Sequence, residues 1–448
     1  MGVSVVGVAG SIRSSQGSLD ALLNCARAAS SHADLAERIK SLSVRFANTD
    51  VSLAYALFAA HRAGADVDIV SLKALFKGAE ANSEEFDHLK LDEARVGTLL
   101  DKVGMADGVI LSSPTYFGDR SSVANKFFQL VDARSLLKDK VFGAISVGAK
   151  RNGGQETTCI YCIVDALAQS AVAVGNGPIT SQYGGTVVAG DRMTALDDSW
   201  GLQRCKELGF KVAYTSRLLS FGAQDELGDQ SLNICVLMTM DTKDKQYGRL
   251  VRDYFAPLEG RHQVEVVDLI DYPIKRCLAC DTCPKLGKSE GLPAYRCVIQ
   301  DSDDCVVVNH AKLIKADMIV LAGVNSEQET IYRYQAFVER TRCIRRDNYQ
   351  LSNTPMAALL VSDLKAHKNT LHNSKVITSY IRHNTIILAP MQITMLGNEL
   401  VHATDFSPML SQAQRIKAGR DRIEPYAVSY EADGYADKSQ DKIKSERK

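Results

Sequence analysis

Short apolar runs, each ended by polar or glycine-containing turns, recur along the chain and predict buried strands. Between them lie stretches of about 10–15 residues with the apolar spacing of helices. Strands that alternate with helices of this length are typical of right-handed βαβ units in a parallel sheet. The pattern therefore predicts an α/β fold, with about five strands in each half of the chain.

The same order of apolar runs appears twice. The run at 2–9 (GVSVVGVA) opens the first half, and the run at 233–240 (NICVLMTM) opens the second. Three later strands also correspond, namely 106–114 with 316–324, 141–147 with 356–361, and 171–174 with 385–388. We therefore predict two tandem, doubly wound, five-stranded parallel sheets with helices on both faces. A polar, glycine-containing boundary divides the chain into domains at 1–222 and 223–430, followed by a mobile polar tail at 431–448.

An insertion separates the first strand from the second. More than fifty residues lie between the turn at 10–13 and the strand at 67–70, where one helix would suffice. The segments 19–29 and 35–44 predict an extra helical hairpin within about 14–47. The segment 50–63 then forms the usual first helix, with Asn48, Thr49 or Asp50 as its cap.

Charge and composition exclude several classes of protein. Lys plus Arg and Asp plus Glu both number 53, and this balance argues against a general nucleic-acid binder. No apolar run approaches the roughly 18–20 residues of a membrane span. The N-terminal run lacks a basic flank, so we expect a strand rather than a signal peptide. We expect a cytoplasmic protein with reduced thiols, no nucleic-acid partner and no membrane partner.

Three loops that follow predicted strands carry candidate chemistry. The first, Gly10-Ser11-Ile12-Arg13-Ser14-Ser15, leads towards a helix, and such a turn presents N–H groups, hydroxyls and a cation to a phosphate. The second, 113–118, offers Tyr116 and Phe117 as aromatic surface beside Gly118. The third, 148–156, is basic and rich in glycine. Each of them alone is equally compatible with an ordinary packed or solvated turn.

The order of these loops, after strands one, three and four, resembles the NAD(P)H-dependent FMN reductases of the flavodoxin-like superfamily. The resemblance covers most of residues 1–180. It implies that FMN is bound by fourteen residues: Ser11, Arg13, Ser15, Ser18, Thr49, Pro114, Thr115, Tyr116, Phe117, Gly118, Arg151, Asn152, Gly153 and Gly154. Because of the insertion, the hydroxyls that follow the phosphate loop are either Ser15 and Ser18, or the segment with Asn48, Thr49 and Ser52.

Four of the eleven cysteines lie in one stretch of the second half, and they resemble those of the iron–sulfur flavoproteins. That resemblance implies a [4Fe–4S] cluster on Cys277, Cys280, Cys283 and Cys297, with Cys305 as a substitute for the last ligand. Zinc and thiols without a metal remain alternatives, whereas the cytosol argues against a disulfide.

The second half lacks the flavin motifs. The loops at 241–247, 323–326 and 368–373 contain no Gly-Ser start, no aromatic Pro loop and no Gly-Gly turn, so we expect no second FMN. A basic run at Arg340, Arg342, Arg345 and Arg346 predicts a solvated helix face, or alternatively a patch for phosphate or an acidic partner.

The predicted function is an FMN-dependent oxidoreductase. It takes a hydride from NAD(P)H and passes electrons to a quinone, a flavin or another acceptor, with the cysteine site of the second half as a possible relay. We expect the second half to cover the flavin of the first, and the protein to form a homo-oligomer. No separate acid–base residue is predicted. Two alternatives stay open: an electron carrier to a redox protein partner, and a non-catalytic assembly subunit.

Overall fold

The computed structural model describes most of the chain. The described residues are 2–11, 13, 15–78, 90–177, 181–223, 230–239, 246–280, 283, 295–324, 329–363, 377, 379–397 and 399–426. The predicted polar tail, the loop at 368–373 and most of the loop at 241–247 lie outside these residues. Within the described part, no helix is both long and apolar enough to cross a bilayer.

The first half alternates strands and helices. Its strands β1 to β6 span Ser4–Ala9, Asp66–Ser71, Gly108–Pro114, Val141–Gly148, Val172–Ala173 and Gly185–Val188. Its α-helices α1 to α7 span Leu19–Ala28, His32–Ser41, Asn48–Arg62, Glu93–Met105, Ser122–Asp132, Gln155–Ala168 and Ser199–Gly222. The inserted hairpin, α1 and α2, is present as predicted. The predicted cap of α3 is wrong, because Ala47 occupies the N-cap and makes no side-chain cap.

The second half follows the same order. Its strands β7 to β13 span Asn233–Met238, Gln263–Asp268, Met318–Val324, Pro355–Asp363, Ile386–Ile387, Met391–Leu396 and Glu399–Ala403. Its α-helices α8 to α12 span Gln246–Phe255, Cys305–Lys315, Glu329–Arg340, Arg342–Arg346 and Ser407–Arg420.

All of these strands belong to one continuous sheet. Its order is β2-β1-β3-β4-β5-β11-β10-β9-β7-β8, so each half runs second, first, third, fourth, fifth from its outer edge. In both halves a later strand pairs back on the fourth, β6 on β4 and β12 on β10. A mixed α/β fold with a large, mostly parallel sheet is therefore confirmed. The strands of the two halves lie in one sheet rather than in two separate ones.

The joint between the halves reverses strand direction. Ala173 of β5 pairs antiparallel with Ile387 of β11, whereas the main strands within each half are parallel. The carboxyl ends of β7, β9 and β10 therefore point to the opposite edge of the sheet from those of β1, β3 and β4. Loops that follow the second half's strands begin at that opposite edge. The expectation that the second half covers a flavin of the first therefore stays a prediction, and these loops do not begin on the flavin side.

Helices pack on both faces, as predicted. One face carries a hydrophobic core that spans both halves and includes side chains of α1, α3, α7, α8 and α12. The other face carries one core beneath α4, α5 and α6 and another beneath α9, α10 and α11. The shared core makes the two halves one packed body.

Glycines let the helices of this shared core cross closely. A β-carbon at Gly209 of α7 would lie 1.9 Å from the carbonyl oxygen of Ala56 in α3. Where α7 crosses α12, a β-carbon at Gly222 would lie 2.1 Å from the Arg415 carbonyl oxygen. The backbones touch at these points, so any larger residue must push the helices apart.

A buried lysine also ties the halves together. The ammonium of Lys211 in α7 donates to the Asn384 carbonyl at 2.9 Å and to the Tyr426 hydroxyl at 3.2 Å, and it contacts the Asn353 side-chain oxygen. Burial lowers the pKa of Lys211 well below its ordinary value. The three acceptors, all from the second half, compensate for the lost hydration of the ammonium.

Candidate functional site

The first three candidate loops meet at the carboxyl edge of β1, β3 and β4. Gly10, directly after β1, donates its N–H to the Ser112 carbonyl of β3 at 2.7 Å. The Ser121 hydroxyl, at the start of α5, donates to the Gly10 carbonyl at 2.8 Å. Ligands of open α/β sheets bind at this edge, beside the point where the strand order reverses.

The first loop is held by short local bonds. The buried Ser11 hydroxyl accepts from the Arg13 N–H at 3.1 Å. The Arg13 guanidinium reaches the Gly190 carbonyl at 3.2 Å, and this residue lies in the segment that follows β6. Ile12 and Ser14 lie outside the described residues. The loop thus places one exposed cation over the start of the site.

The insertion left two alternative sets of hydroxyls for the site, Ser15 with Ser18 or the segment that contains Thr49, and the structure places their members differently. Ser18 accepts from the N–H groups of Asp20 and Ala21, so it caps the inserted helix α1. Ser15 lies at the start of α3, where it accepts from the Ala47 N–H at 2.8 Å. Thr49 lies in the first turn of α3. The structure therefore brings Ser15 and Thr49 together at α3, and it assigns Ser18 to a different helix.

Asn48, at the start of α3, is hydrogen-bonded by the segment after β6, which no sequence pattern marks as functional. Its amide donates to the Asp191 carbonyl at 2.5 Å, and its side-chain oxygen accepts from the Ala195 N–H at 3.0 Å. The segment after β6 thereby joins the loop at 10–15 and α3. No motif marks this segment, because its contribution is made by backbone carbonyl and amide groups.

Asp50 is a buried carboxyl in the first turn of α3. It accepts from Ser15 at 2.6 Å and from Thr49 at 3.2 Å. Burial raises the pKa of Asp50 to about 6, although both hydroxyl hydrogen bonds favour the ionised form and oppose that shift. The folded protein therefore binds this proton more tightly than the unfolded chain does.

The Asp50→Asn variant tests the raised pKa of Asp50 through its effect on the free energy of unfolding. Because the folded pKa lies above the unfolded value, the native carboxyl destabilises the fold as pH rises from about 4 through 6. The variant should gain up to about 3 kcal/mol in free energy of unfolding at pH 8 and little at pH 4. Urea unfolding at both pH values measures it, with the exposed Asp132→Asn as control. A gain of equal size at both pH values would contradict the assignment.

The aromatic loop after β3 is a tight turn that exposes its rings. Tyr116 and Asp119 exchange backbone hydrogen bonds at 2.7 and 2.9 Å. Phe117, between them, has a φ of +52° and a fully exposed side chain, and Gly118 has a φ of +81°. A non-glycine residue with positive φ and an exposed ring is uncommon in a structural turn. The turn presents an aromatic surface at the edge of the sheet.

The third loop packs directly against the aromatic loop. Gly154 has a φ of +96°, and a β-carbon there would lie 2.6 Å from the Gly118 α-carbon. The Thr158 hydroxyl lies 3.4 Å from that of Thr115. Arg151 and Asn152 are exposed on the outer side of this loop. The structure therefore brings together the predicted residues of both loops. They are Pro114, Thr115, Tyr116, Phe117 and Gly118 of the aromatic loop and Arg151, Asn152, Gly153 and Gly154 of the third loop.

Arg120 was not predicted, yet it anchors the aromatic loop. Its Nε donates to the Asn125 side-chain oxygen at 2.7 Å, and its guanidinium forms a close ion pair with Asp165 of α6. The guanidinium also lies 4.9 Å from the centre of the Phe128 ring. A lone arginine after Gly-Asp gives no signal in the sequence, because its partners come from two separate helices.

The cysteines of the second half lie in one neighbourhood. Cys283 and Cys297 are buried, and Cys277 and Cys280 are partly exposed. Burial raises the pKa of Cys283, and the charges of the other three cysteines raise it further. Among the described residues, however, no three histidine, cysteine or acidic side chains converge as ligands of one metal ion. The cluster on these four cysteines therefore stays a prediction.

Cys297 is engaged by other groups. Arg340 donates to the Cys297 sulfur at 3.3 Å and forms a 2.7 Å ion pair with the buried Asp304. A hydrogen bond from Cys343 is the main cause of a lowered pKa at Cys297, and the same contact raises the pKa of Cys343. Arg340 is only 1% exposed, so its predicted place on a solvated helix face is wrong.

Comparison with known proteins found a matching family and several similar proteins. A family described as NADPH-dependent FMN reductase matches residues 41–176, a stretch that contains α3, the aromatic loop and the glycine-rich third loop. The loop at 10–15 precedes the matched stretch. An iron-sulfur flavoprotein of Methanocaldococcus jannaschii is 41% identical over 130 residues, which is 28% of this chain and 66% of that protein.

This chain matches a larger share of a second relative. A protein of Caulobacter vibrioides named NAD(P)H dehydrogenase (quinone) is 30% identical over 172 residues, which is 35% of this chain and 85% of that protein. Among solved structures, a flavodoxin, WrbA-like protein from Agrobacterium tumefaciens is 16% identical over 48% of this chain and 98% of its own. Its TM-score of 0.29 is too low to support any statement about this site.

Proposed function

We propose, because the chain belongs to the NADPH-dependent FMN reductase family, that it binds one FMN at the carboxyl edge of β1, β3 and β4. Its class is that of the NAD(P)H-dependent flavin oxidoreductases. We propose a quinone or another small molecule as the electron acceptor. In this proposal residues 1–222 form a flavodoxin-like unit that holds the flavin. Residues 223–430 form a second, related unit without one.

The observation that carries the proposal is the contact among three loops at one sheet edge. Gly10 is bonded to β3, and Gly154 is packed against Gly118, so the loops lie side by side along one edge of the sheet. α3 begins there without a side-chain cap, which leaves its first N–H groups to an anion. The residues present therefore fit a flavin mononucleotide, with the phosphate at α3 and the ring at the aromatic turn.

Each loop has one task in this proposal. Ser11, Arg13 and Thr49 hold the phosphate through hydroxyls and one guanidinium. Tyr116 and Phe117 orient the ring by stacking, and the backbone of Arg151, Asn152 and Gly154 donates N–H groups to its polar edge. Bound FMN supplies the hydride-accepting chemistry, and the protein supplies orientation and a defined electrostatic environment.

No step of the proposed reaction passes through an iron–sulfur cluster. The described cysteines do not converge as a ligand set. In addition, the antiparallel joint places the carboxyl ends of the second half's main strands at the sheet edge opposite the proposed flavin site.

The Arg13→Gln variant tests the phosphate site. Losing a charge-assisted hydrogen bond costs about 1.5–3 kcal/mol, so FMN affinity should fall about ten- to hundredfold. Titration of FMN into the apo full-length chain, followed by flavin fluorescence, measures it. Riboflavin, which lacks the phosphate, should bind the variant and the parent equally well.

The control for this variant is Arg134→Gln, an exposed arginine after α5. It should leave FMN affinity unchanged. A variant at Arg13 that binds FMN as tightly as the parent, or that loses riboflavin to the same degree, would place the phosphate elsewhere.

A further inference from the structure

A cavity of about 400 Å³ lies where the two halves meet, beside the end of α3. Small-molecule sites in proteins usually enclose roughly 300–1,000 Å³, so the cavity is large enough for a ligand. Side chains of α7 and Ala63, which follows α3, line it from the first half. The segment after α12 lines it from the second. A molecule bound here would therefore contact both halves.

Three aromatic rings line this cavity. Phe210 and Tyr214 lie one turn apart on α7, and their rings are nearly parallel, with centres 6.1 Å apart. The Tyr426 ring stands edge-on to both, at 5.0 and 4.6 Å. Its hydroxyl accepts from Lys211 at 3.2 Å and from the Asn384 amide at 3.0 Å, which fixes the ring in place. This aromatic wall is therefore preformed, and it suits a flat apolar group.

Two arginines line the same cavity, Arg217 of α7 and Arg422 of the segment after α12. The Arg217 guanidinium donates to the Ala63 carbonyl at 3.5 Å, which is long for a hydrogen bond. Within the described part of the chain, Arg217 has no acidic partner at ion-pair distance. A guanidinium has five N–H donors, so Arg217 keeps several for an anion. Arg422 adds a second positive charge.

The surroundings make the electrostatic potential of the cavity positive. Burial raises the pKa of Tyr214, and the charges of Arg420 and Arg217 both oppose that shift. Glu424 is the only acid among the described residues that line the cavity, and its side chain is exposed to solvent. Water and salt screen an exposed charge more than a partly buried one. The net effect favours a negatively charged ligand.

We propose that this cavity binds a small aromatic carboxylate, with its ring against the aromatic wall and its carboxylate on the Arg217 guanidinium. Arginine suits this task because its planar fork matches the two oxygens of a carboxylate. The site is separate from the proposed flavin site. α3 has 15 residues, so its two ends are about 22 Å apart, and the FMN phosphate is proposed at the other end. The inference therefore does not depend on FMN binding.

The experiment uses the full-length chain and two probes of the same shape, naphthoate and its neutral amide, naphthamide. Isothermal titration calorimetry measures both affinities. Naphthoate should bind at least about tenfold more tightly, because only naphthoate offers a charged acceptor to the guanidinium. In Arg217→Gln the naphthoate affinity should fall about ten- to hundredfold, and the naphthamide affinity should stay unchanged. The control Arg134→Gln, at an exposed arginine, should change neither affinity.

Hydrogen–deuterium exchange of the parent chain locates the probe. Saturating naphthoate should protect the amides of 210–221, 422–424 and Tyr426. Saturating FMN should leave the naphthoate affinity as it is, since the two sites lie at opposite ends of α3. This readout does not require that FMN binds at all, so failure of the flavin proposal would leave it intact.

Four results would overturn the proposal. Equal affinity of the parent chain for the two probes would exclude recognition of the anion. Displacement of naphthoate by FMN would place the probe at the flavin edge. Neither heat nor protection with millimolar naphthoate would show that the cavity does not bind this class of ligand. An Arg217→Gln variant with the parent's naphthoate affinity would remove the assigned cation. Because the first three results come from the parent chain, they do not depend on the folding of any variant.

Discussion

Replacing Gly209 with alanine is expected to destabilise the whole protein by about 3 kcal/mol. The added β-carbon would lie 1.9 Å from the Ala56 carbonyl oxygen and 2.5 Å from its carbonyl carbon. Both atoms belong to backbone, so no side chain can rotate away and α7 must move off α3. The gain in helix propensity from glycine to alanine, about 1 kcal/mol, is too small to offset this. Urea-induced unfolding measures the change.

Gly97→Ala is the matched control. Gly97 also lies inside a helix, α4, but a β-carbon there meets nothing within 4 Å. This variant should be up to about 1 kcal/mol more stable than the parent. If Gly209→Ala were stabilised to the same extent, the close crossing of α3 and α7 would be refuted.

The Gly154→Ala variant should lose flavin-dependent activity. Its β-carbon would lie 2.6 Å from the Gly118 α-carbon, so the third loop and the aromatic loop must separate. A displacement of about 1 Å in a positioning loop can lower kcat/KM about a hundredfold. NAD(P)H oxidation with a soluble quinone as acceptor measures the rate, and FMN titration measures the accompanying loss of affinity.

Gly64→Ala is the control that distinguishes the effect of the contact between the two loops from the effect of backbone strain. Gly64 has a φ of +90°, close to that of Gly154, but a β-carbon there meets nothing within 4 Å. Both variants should lose about 1–2 kcal/mol of stability from the left-handed backbone. Gly154→Ala alone should lose activity. Equal activity of the two variants would mean that the loop contact does not shape the site.

The sequence predicts the first-half strands and their loops well, because their signals are local. β1, β3 and β4 are apolar runs buried on both faces, and each is followed at once by the loop that carries the chemistry. A buried parallel strand can be recognised from its own apolar run, without knowing which strands pair with it. The candidate loops after these strands, and their shared edge, can therefore be located from the sequence, whereas the FMN residues within them are what the family resemblance implies.

The joint between the halves was not predictable in the same way. The runs at 171–174 and 385–388 look like two ordinary fifth strands, one in each half. Nothing local tells that Ala173 pairs with Ile387, or that this pairing is antiparallel. Its consequence is large, because it sends the carboxyl edges of the two halves in opposite directions and separates the cysteine segment from the proposed flavin site.

The hydrogen-bond partners of several polar side chains could also not be predicted from the sequence. Ser18 resembles a phosphate ligand, yet it caps α1. Arg340 resembles a member of an exposed basic run, yet Asp304, Tyr295 and Cys297 bind it in the interior. In each case a distant residue or an inserted helix decides the partner. Spacing along the chain carries no information about such contacts.

The most direct test of the account is hydrogen–deuterium exchange of the full-length chain, with and without saturating FMN. Binding at the proposed edge should protect the amides of the segments that line it, namely 10–15, 47–50, 115–118 and 151–154. Exchange in the second half should stay unchanged. Protection confined to the second half, or no protection anywhere at a saturating FMN concentration, would contradict the site.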